Sequence, residues 1–98
     1  MKYIKSDEYT YDEMWEDTQD ILDKYYWELD DIETYDNMGI AKFHSTRYGV
    51  HAEYTIEYKN YYSDCYITDV DYKTWLDDMI NVVGQLRHIW HDINDAME

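Results

Sequence analysis

The chain has 98 residues, among them 13 tyrosines and four tryptophans, and its formal net charge is −15. Acidic chains that stay disordered are depleted in aromatic residues, so this composition predicts one compact folded domain over residues 1–98. A surface of this charge repels nucleic acid and anionic membranes, which excludes direct binding to either, and it attracts proteins whose own surfaces are basic.

The first predicted element is a long amphipathic helix. Thr10 and Glu13 have the spacing of a capping box, in which two side chains satisfy backbone N–H groups at a helix start. Apolar residues then recur at three- and four-residue steps as far as Leu29. This stripe consists of Tyr11, Met14, Trp15, Leu22, Tyr25, Tyr26 and Leu29, together with the polar residue Thr18. The period is lost over residues 30–39, where a connecting loop is predicted.

Acidic residues fill the opposite side of this helix and continue into the predicted loop. Residues 1–38 hold 13 acidic and three basic residues, a net charge of −10. The acids that we predict to contact a partner are Glu13, Glu16, Asp17, Asp20, Asp23, Asp30, Asp31, Glu33 and Asp36. Like charges three or four residues apart cost helix stability, whereas a surface that only confers solubility mixes both signs. The row therefore predicts a partner-binding surface; the alternative is an ordinary solvated helix face.

Trp27 falls on the acidic side of the same helical wheel. An exposed indole contributes little to the stability of a monomer and is a favoured anchor in protein interfaces, so we include Trp27 among the predicted partner-binding residues. Alternatively, the helix ends near Tyr26 and the indole packs against the sheet.

Three antiparallel strands are predicted after the loop. The clearest covers residues 50–59, where apolar and polar residues alternate with period two. Residues 41–47 can pair with it through a tight turn at Tyr48 and Gly49, and residues 61–70 can pair with its other edge.

A second helix is predicted from a cap at Asp71 to the end of the chain. Its apolar stripe is Tyr72, Leu76, Met79, Ile80, Val83, Leu86, Trp90, Ile93 and Met97, widened on one flank by Trp75, Val82 and Ile89. The predicted outer face carries Asp77, Gln85, His88, Asp92 and Asp95. The expected fold class is α+β, in the order α-β-β-β-α, with a three-stranded antiparallel sheet packed against two helices.

No pattern in the sequence predicts catalysis, a metal or a cofactor. His88 and His91 with Asp92 and Asp95 lack the spacing of a zinc protease, and we expect them on the outer helix face. The lone Cys65 cannot form an internal disulfide, and no apolar run has the length of a signal peptide or a membrane span. A cytoplasmic protein that is not an enzyme is therefore expected.

In size, charge and predicted order of elements, the whole chain resembles one group of small phage-encoded anti-CRISPR proteins, and more broadly the DNA-mimic inhibitors. The resemblance rests on no shared motif and assigns no residue. It implies an inhibitor that acts in the bacterial host cell by occupying the nucleic-acid-binding surface of a Cas9-like CRISPR effector nuclease.

Two other classes of function fit the same composition. An immunity protein or antitoxin also uses an acidic, aromatic surface to block a basic nuclease toxin. A homo-oligomeric interaction module would instead use the apolar flank of the last helix as the seam of a homodimer.

Overall fold

The computed structural model describes residues 11–57, 62–71 and 76–96. Its elements are α1 (Tyr11–Asp23), β1 (Trp27–Thr34), β2 (Met38–Ser45), β3 (Val50–Glu57), β4 (Tyr62–Val70) and α2 (Leu76–Ala96). The strands form one antiparallel sheet in the order β1-β2-β3-β4. The α+β class is confirmed, and the prediction of three strands is wrong because the sheet has four. The predicted cap Thr10 and the apolar residues Tyr72, Trp75 and Met97 lie outside the described residues.

Helix α1 is shorter than its apolar period predicts. The N–H groups of Lys24 and Tyr25 bond to carbonyls three residues earlier, at 3.3 and 3.0 Å, which tightens the last turn. Tyr26 then adopts φ +64°, the left-handed conformation that ends many helices and that glycine or asparagine usually supplies. Because a tyrosine occupies this position, the sequence carries no helix-stop signal.

Half of the predicted loop, residues 30–34, is instead part of strand β1, and its last two residues belong to β2. Its inward-facing residues are Trp27, Leu29 and Ile32, and a bulge lies between Leu29 and Asp31. A bulge adds one residue to a strand. The step from Trp27 to Leu29 is therefore two residues, and the step from Leu29 to Ile32 is three. Because the alternation is interrupted, the segment lacks the period of two that is typical of a strand, and its apolar residues fit a helical period instead. The turn to β2 is made by Asp36 and Asn37.

The core lies between the two helices and one face of the sheet. Alternate residues of β2 and β3 point into it, and Gly49, at φ +65°, reverses the chain between these strands. Its buried apolar residues are Ile21, Leu22, Trp27, Leu29, Ile32, Ala41, Phe43, Val50, Ala52, Tyr54, Ile56, Val82, Leu86, Ile89 and Ile93. The opposite face of the sheet carries polar side chains, and no described helix covers it.

Helix α2 is rotated about its axis relative to the predicted apolar stripe. The apolar residues that it buries are Val82, Leu86, Ile89 and Ile93. The stripe residues that it exposes are Leu76, Ile80, Val83 and Trp90. Apolar residues occupy more than half of the circumference of this helix, so periodicity alone does not fix which part faces the sheet. Gln85, expected on the outer face, accepts a hydrogen bond from Trp27.

Candidate protein-binding surfaces

The predicted acidic row is present along α1. Glu13, Glu16, Asp20 and Asp23 are exposed, and Asp17 is half-buried. The buried side of the helix contributes Thr18, Ile21 and Leu22 to the interior, so the carboxylates lie on the side turned away from it. Helix α1 contains no basic residue.

Strand β1 carries a second group of acids. Glu28, Asp30 and Asp31 are exposed, Glu33 is half-buried, and Asp36 is exposed in the turn that follows. The bulge allows the consecutive residues Asp30 and Asp31 both to avoid the core.

Side chains of β2 contact this second group of acids. Lys42 Nζ lies 3.1 Å from a carboxylate oxygen of Glu33, and His44 Nδ1 lies 2.7 Å from Asp30 Oδ1. The hydrogen bond and the charge of Glu33 raise the pKa of Lys42, so this lysine stays positively charged at neutral pH.

One acid of α1, Asp23, and one acid of β1, Glu28, come together at the outer edge of β1. Gln19 Nε2 donates to Asp23 at 2.7 Å, and Gln19 Oε1 accepts the backbone N–H of Leu29 at 3.0 Å. A depression of about 420 Å³ is lined there by both Asp23 and Glu28. We call the exposed acids of α1 and β1 the acidic edge surface. They are Glu13, Glu16, Asp20, Asp23, Glu28, Asp30 and Asp31. The sequence did not indicate the bridging role of Gln19.

Trp27 does not belong to this surface as an exposed anchor. Its side chain is 1% exposed, and its Nε1 donates to Gln85 Oε1 at 2.8 Å. The expectation of an exposed indole is wrong because the helix ends before Trp27 and the chain continues as a strand, whose first residue faces the core. The alternative, that the helix ends near Tyr26 and the indole packs against the sheet, is confirmed, since the ring packs on Phe43 of β2.

A groove of about 720 Å³ lies between α2 and β4, at the edge of the sheet opposite β1. Cys65, Ile67 and Leu86 form part of its wall, and Trp90 closes one side by donating a 3.0 Å hydrogen bond to Ser63 Oγ. Among the described residues, β4 pairs only with β3, so its outer edge is free. We call this feature the α2–β4 groove.

The cysteine in this groove is poorly suited to be a nucleophile. Burial, with a smaller contribution from the charge of Asp64, raises the pKa of Cys65 to about 12. The reactive form of cysteine is the thiolate, which is scarce at neutral pH when the pKa is this high.

Within residues 11–57, 62–71 and 76–96, two groups of side chains bring potential metal ligands within 4.8 Å of one another. One consists of Asp30, His44 and His51 on the uncovered face of the sheet, and the other of His91, Asp92 and Asp95 on α2. His88, which the sequence places beside the second group, stacks instead on Tyr25 with the ring centroids 6.2 Å apart.

The described part of the chain thus has an acidic surface around the edge of β1 and an apolar groove beside the edge of β4. Neither of its helices is long and apolar enough to cross a membrane. Comparisons with protein families, with curated proteins and with solved structures found no match to this chain.

Proposed function

We propose that this protein is a stoichiometric inhibitor that binds the nucleic-acid-binding surface of a basic protein through its acidic edge surface. The observation that carries the proposal is that one acid of α1, Asp23, and one acid of β1, Glu28, line the same depression at the outer edge of β1. Carboxylates three or four residues apart on a helix are separated by roughly 5–6 Å. They form a line of negative charge that a groove built for a phosphate backbone can accept.

The position of the charge also supports a binding role. Helix α1 holds its acids without any basic residue of its own, and like charges at these spacings destabilise a helix. A row of this kind attracts a basic partner over a distance and increases the rate of association. The resemblance to anti-CRISPR proteins narrows the proposed partner to a CRISPR effector nuclease. An immunity protein would use the same surface against a nuclease toxin.

The first test is competition with nucleic acid. Binding to a guide-loaded CRISPR effector is measured with and without duplex DNA that carries its short recognition motif, at about 50 and about 200 mM salt. We expect the DNA-bound effector to exclude the protein and the affinity to fall at least tenfold at the higher salt concentration. Inhibition should saturate at a fixed molar ratio to the effector.

Three outcomes would point away from the proposed effector inhibitor. Binding to a basic nuclease toxin, but not to an effector, would assign the protein to the immunity class. Simultaneous binding of the protein and the DNA to one effector at full affinity would refute mimicry. Substrate turnover at strongly substoichiometric amounts of the protein would instead indicate an enzyme.

A second candidate function is favoured by the apolar side of α2. Leu76, Ile80 and Val83 are 78%, 67% and 49% exposed, and Val83 also lines the α2–β4 groove. We propose as the alternative that a second copy of the chain covers this side. Antiparallel pairing of two β4 edges about a twofold axis would extend the sheet and bury these side chains.

The oligomeric state in solution tests this second candidate. If it is correct, the protein sediments as a dimer, and the variant Ile80→Glu/Val83→Glu sediments as a monomer. The matched control is Tyr26→Glu/Tyr35→Glu, which adds the same charge at two exposed aromatic residues elsewhere and should remain dimeric. A wild-type protein that is monomeric at every concentration tested would eliminate the candidate.

A further inference from the structure

Two histidines face each other on the uncovered side of the sheet. His44 on β2 and His51 on β3 are direct cross-strand partners, and their ring centroids are 5.5 Å apart. Directly opposed side chains on an antiparallel pair lie close enough to act together. The hydrogen-bonded strands β2 and β3 hold the backbones of these two histidines at a fixed separation.

A third side chain reaches this pair from β1. Glu28 is the partner of His44 in the β1–β2 register, and the bulge between Leu29 and Asp31 makes Asp30 the additional residue. Bulges redirect side chains relative to a regular strand. Here Asp30 Oδ1 lies 2.7 Å from His44 Nδ1, and potential ligand atoms of Asp30, His44 and His51 all lie within 4.8 Å of one another.

We propose that Asp30, His44 and His51 form a binding site for a divalent transition-metal ion, with Zn²⁺ as the ion to test first. Two imidazoles and one carboxylate are a ligand set that suits zinc and its transition-metal neighbours, whereas Mg²⁺ and Ca²⁺ prefer oxygen ligands alone. Zinc bonds to nitrogen and oxygen are about 2.0–2.2 Å long, so ligand atoms on one ion lie within roughly 4.4 Å. Small side-chain rotations bring the three groups to that spacing.

The surroundings of the site favour a cation. A carboxylate oxygen of Glu28 lies 3.7 Å from His44 Nε2, and Asp69 on β4 is the cross-strand partner of His51. Carboxylates that accept the second ring N–H of a metal-binding histidine fix its orientation and increase its basicity. If Nδ1 of His44, the nitrogen beside Asp30, binds the ion, Glu28 can accept the N–H of Nε2. A fourth ligand position remains for water.

The group on α2 is a weaker candidate and therefore a useful control. It has one imidazole, His91, and its nearest carboxylate, Asp95, lies 3.1 Å away on the exposed side of the helix. Its other carboxylate, Asp92, already accepts a 3.0 Å hydrogen bond from the hydroxyl of Tyr25.

The test is a calorimetric titration of the untagged protein with Zn²⁺ in excess Mg²⁺, which suppresses nonspecific cation binding to an acidic surface. We expect one Zn²⁺ per chain. His51→Gln should weaken binding at least tenfold, because an exposed ligand is removed without disturbing the core. Asp30→Asn should also weaken it, and the matched control His91→Gln should bind as the wild type does.

Several results would overturn the proposal. They are the absence of a saturable site with one Zn²⁺ per chain, full affinity in His51→Gln, and an equal loss of affinity in His91→Gln. Loss of binding in Cys65→Ser would place the ion at the thiol instead. Melting temperatures of the metal-free variants report separately on the fold. The readout is metal binding alone, so the result does not depend on the proposed inhibitor function.

Discussion

Replacing Trp27 with alanine is expected to lower the free energy of unfolding by about 3–5 kcal/mol, the usual cost of removing a large buried aromatic side chain. The indole is 1% exposed and packs edge to face on Phe43, with the ring centroids 5.5 Å apart. Its Nε1 also donates to Gln85 Oε1 at 2.8 Å, so the substitution removes the donor from that oxygen as well. Chemical denaturation measures the loss.

Two variants separate packing from hydrogen bonding at this site. Trp27→Phe keeps an aromatic ring but removes the donor to Gln85, and it should cost less than the alanine variant because part of the packing is retained. Tyr35→Ala, at a side chain that is 58% exposed, should change stability by no more than about 0.5 kcal/mol. A Trp27→Ala protein of normal stability that no longer binds its partner would contradict the core role and restore the role of an anchor.

Neutralising the acids of α1 together is expected to weaken partner binding by roughly 10- to 1000-fold, mainly through a slower association rate. The variant carries Glu13→Gln, Glu16→Gln, Asp17→Asn, Asp20→Asn and Asp23→Asn. Its fold should be unchanged or slightly more stable, since like-charge repulsion on the helix is relieved by a few tenths of a kcal/mol per pair. Association and dissociation rates, measured by surface plasmon resonance at two salt concentrations, check the prediction.

The control changes charge at a different face. Asp77→Lys/Asp95→Lys reverses two exposed acids on α2 and shifts the net charge by a similar amount. Equal losses from both variants would mean that only net charge matters and would remove α1 as the binding site. If neither variant weakens binding, the next sets to test are the acids of residues 30–36 and the acids of the uncovered sheet face, Glu53 and Glu57.

The strands could be predicted wherever alternation was regular. In β3, Val50, Ala52, Tyr54 and Ile56 are buried as the period of two requires. Strand β1 was missed because its bulge interrupts the alternation and because Tyr26, rather than a glycine, ends the preceding helix. The periodicity of apolar residues therefore predicts the regular strands. It does not predict β1, where a single residue changes the backbone at Tyr26 and again at the bulge.

The candidate surfaces divide in the same way. The acidic row of α1 follows from helical spacing and was predicted as a set. The histidine pair was not, because a tight turn at Tyr48 and Gly49 would place His44 opposite Glu53. The structure instead connects β2 to β3 through residues 46–49, which places His44 opposite His51. The length of the connecting loop helps to set the register of two paired strands, and a shift in register changes which side chains lie opposite each other.

The order of the strands has a consequence for how the chain folds. Each strand pairs with its neighbour in sequence, so the sheet is assembled from local hairpins with short loops to close. The contacts between α1 and α2 join distant parts of the chain, and the hydroxyl of Tyr25, in the turn that follows α1, donates to Asp92, 67 positions away. We expect the hairpins to be present in the folding transition state and the pairing of the two helices to follow it. Substitutions at the helix contact would then accelerate unfolding and leave the folding rate nearly unchanged.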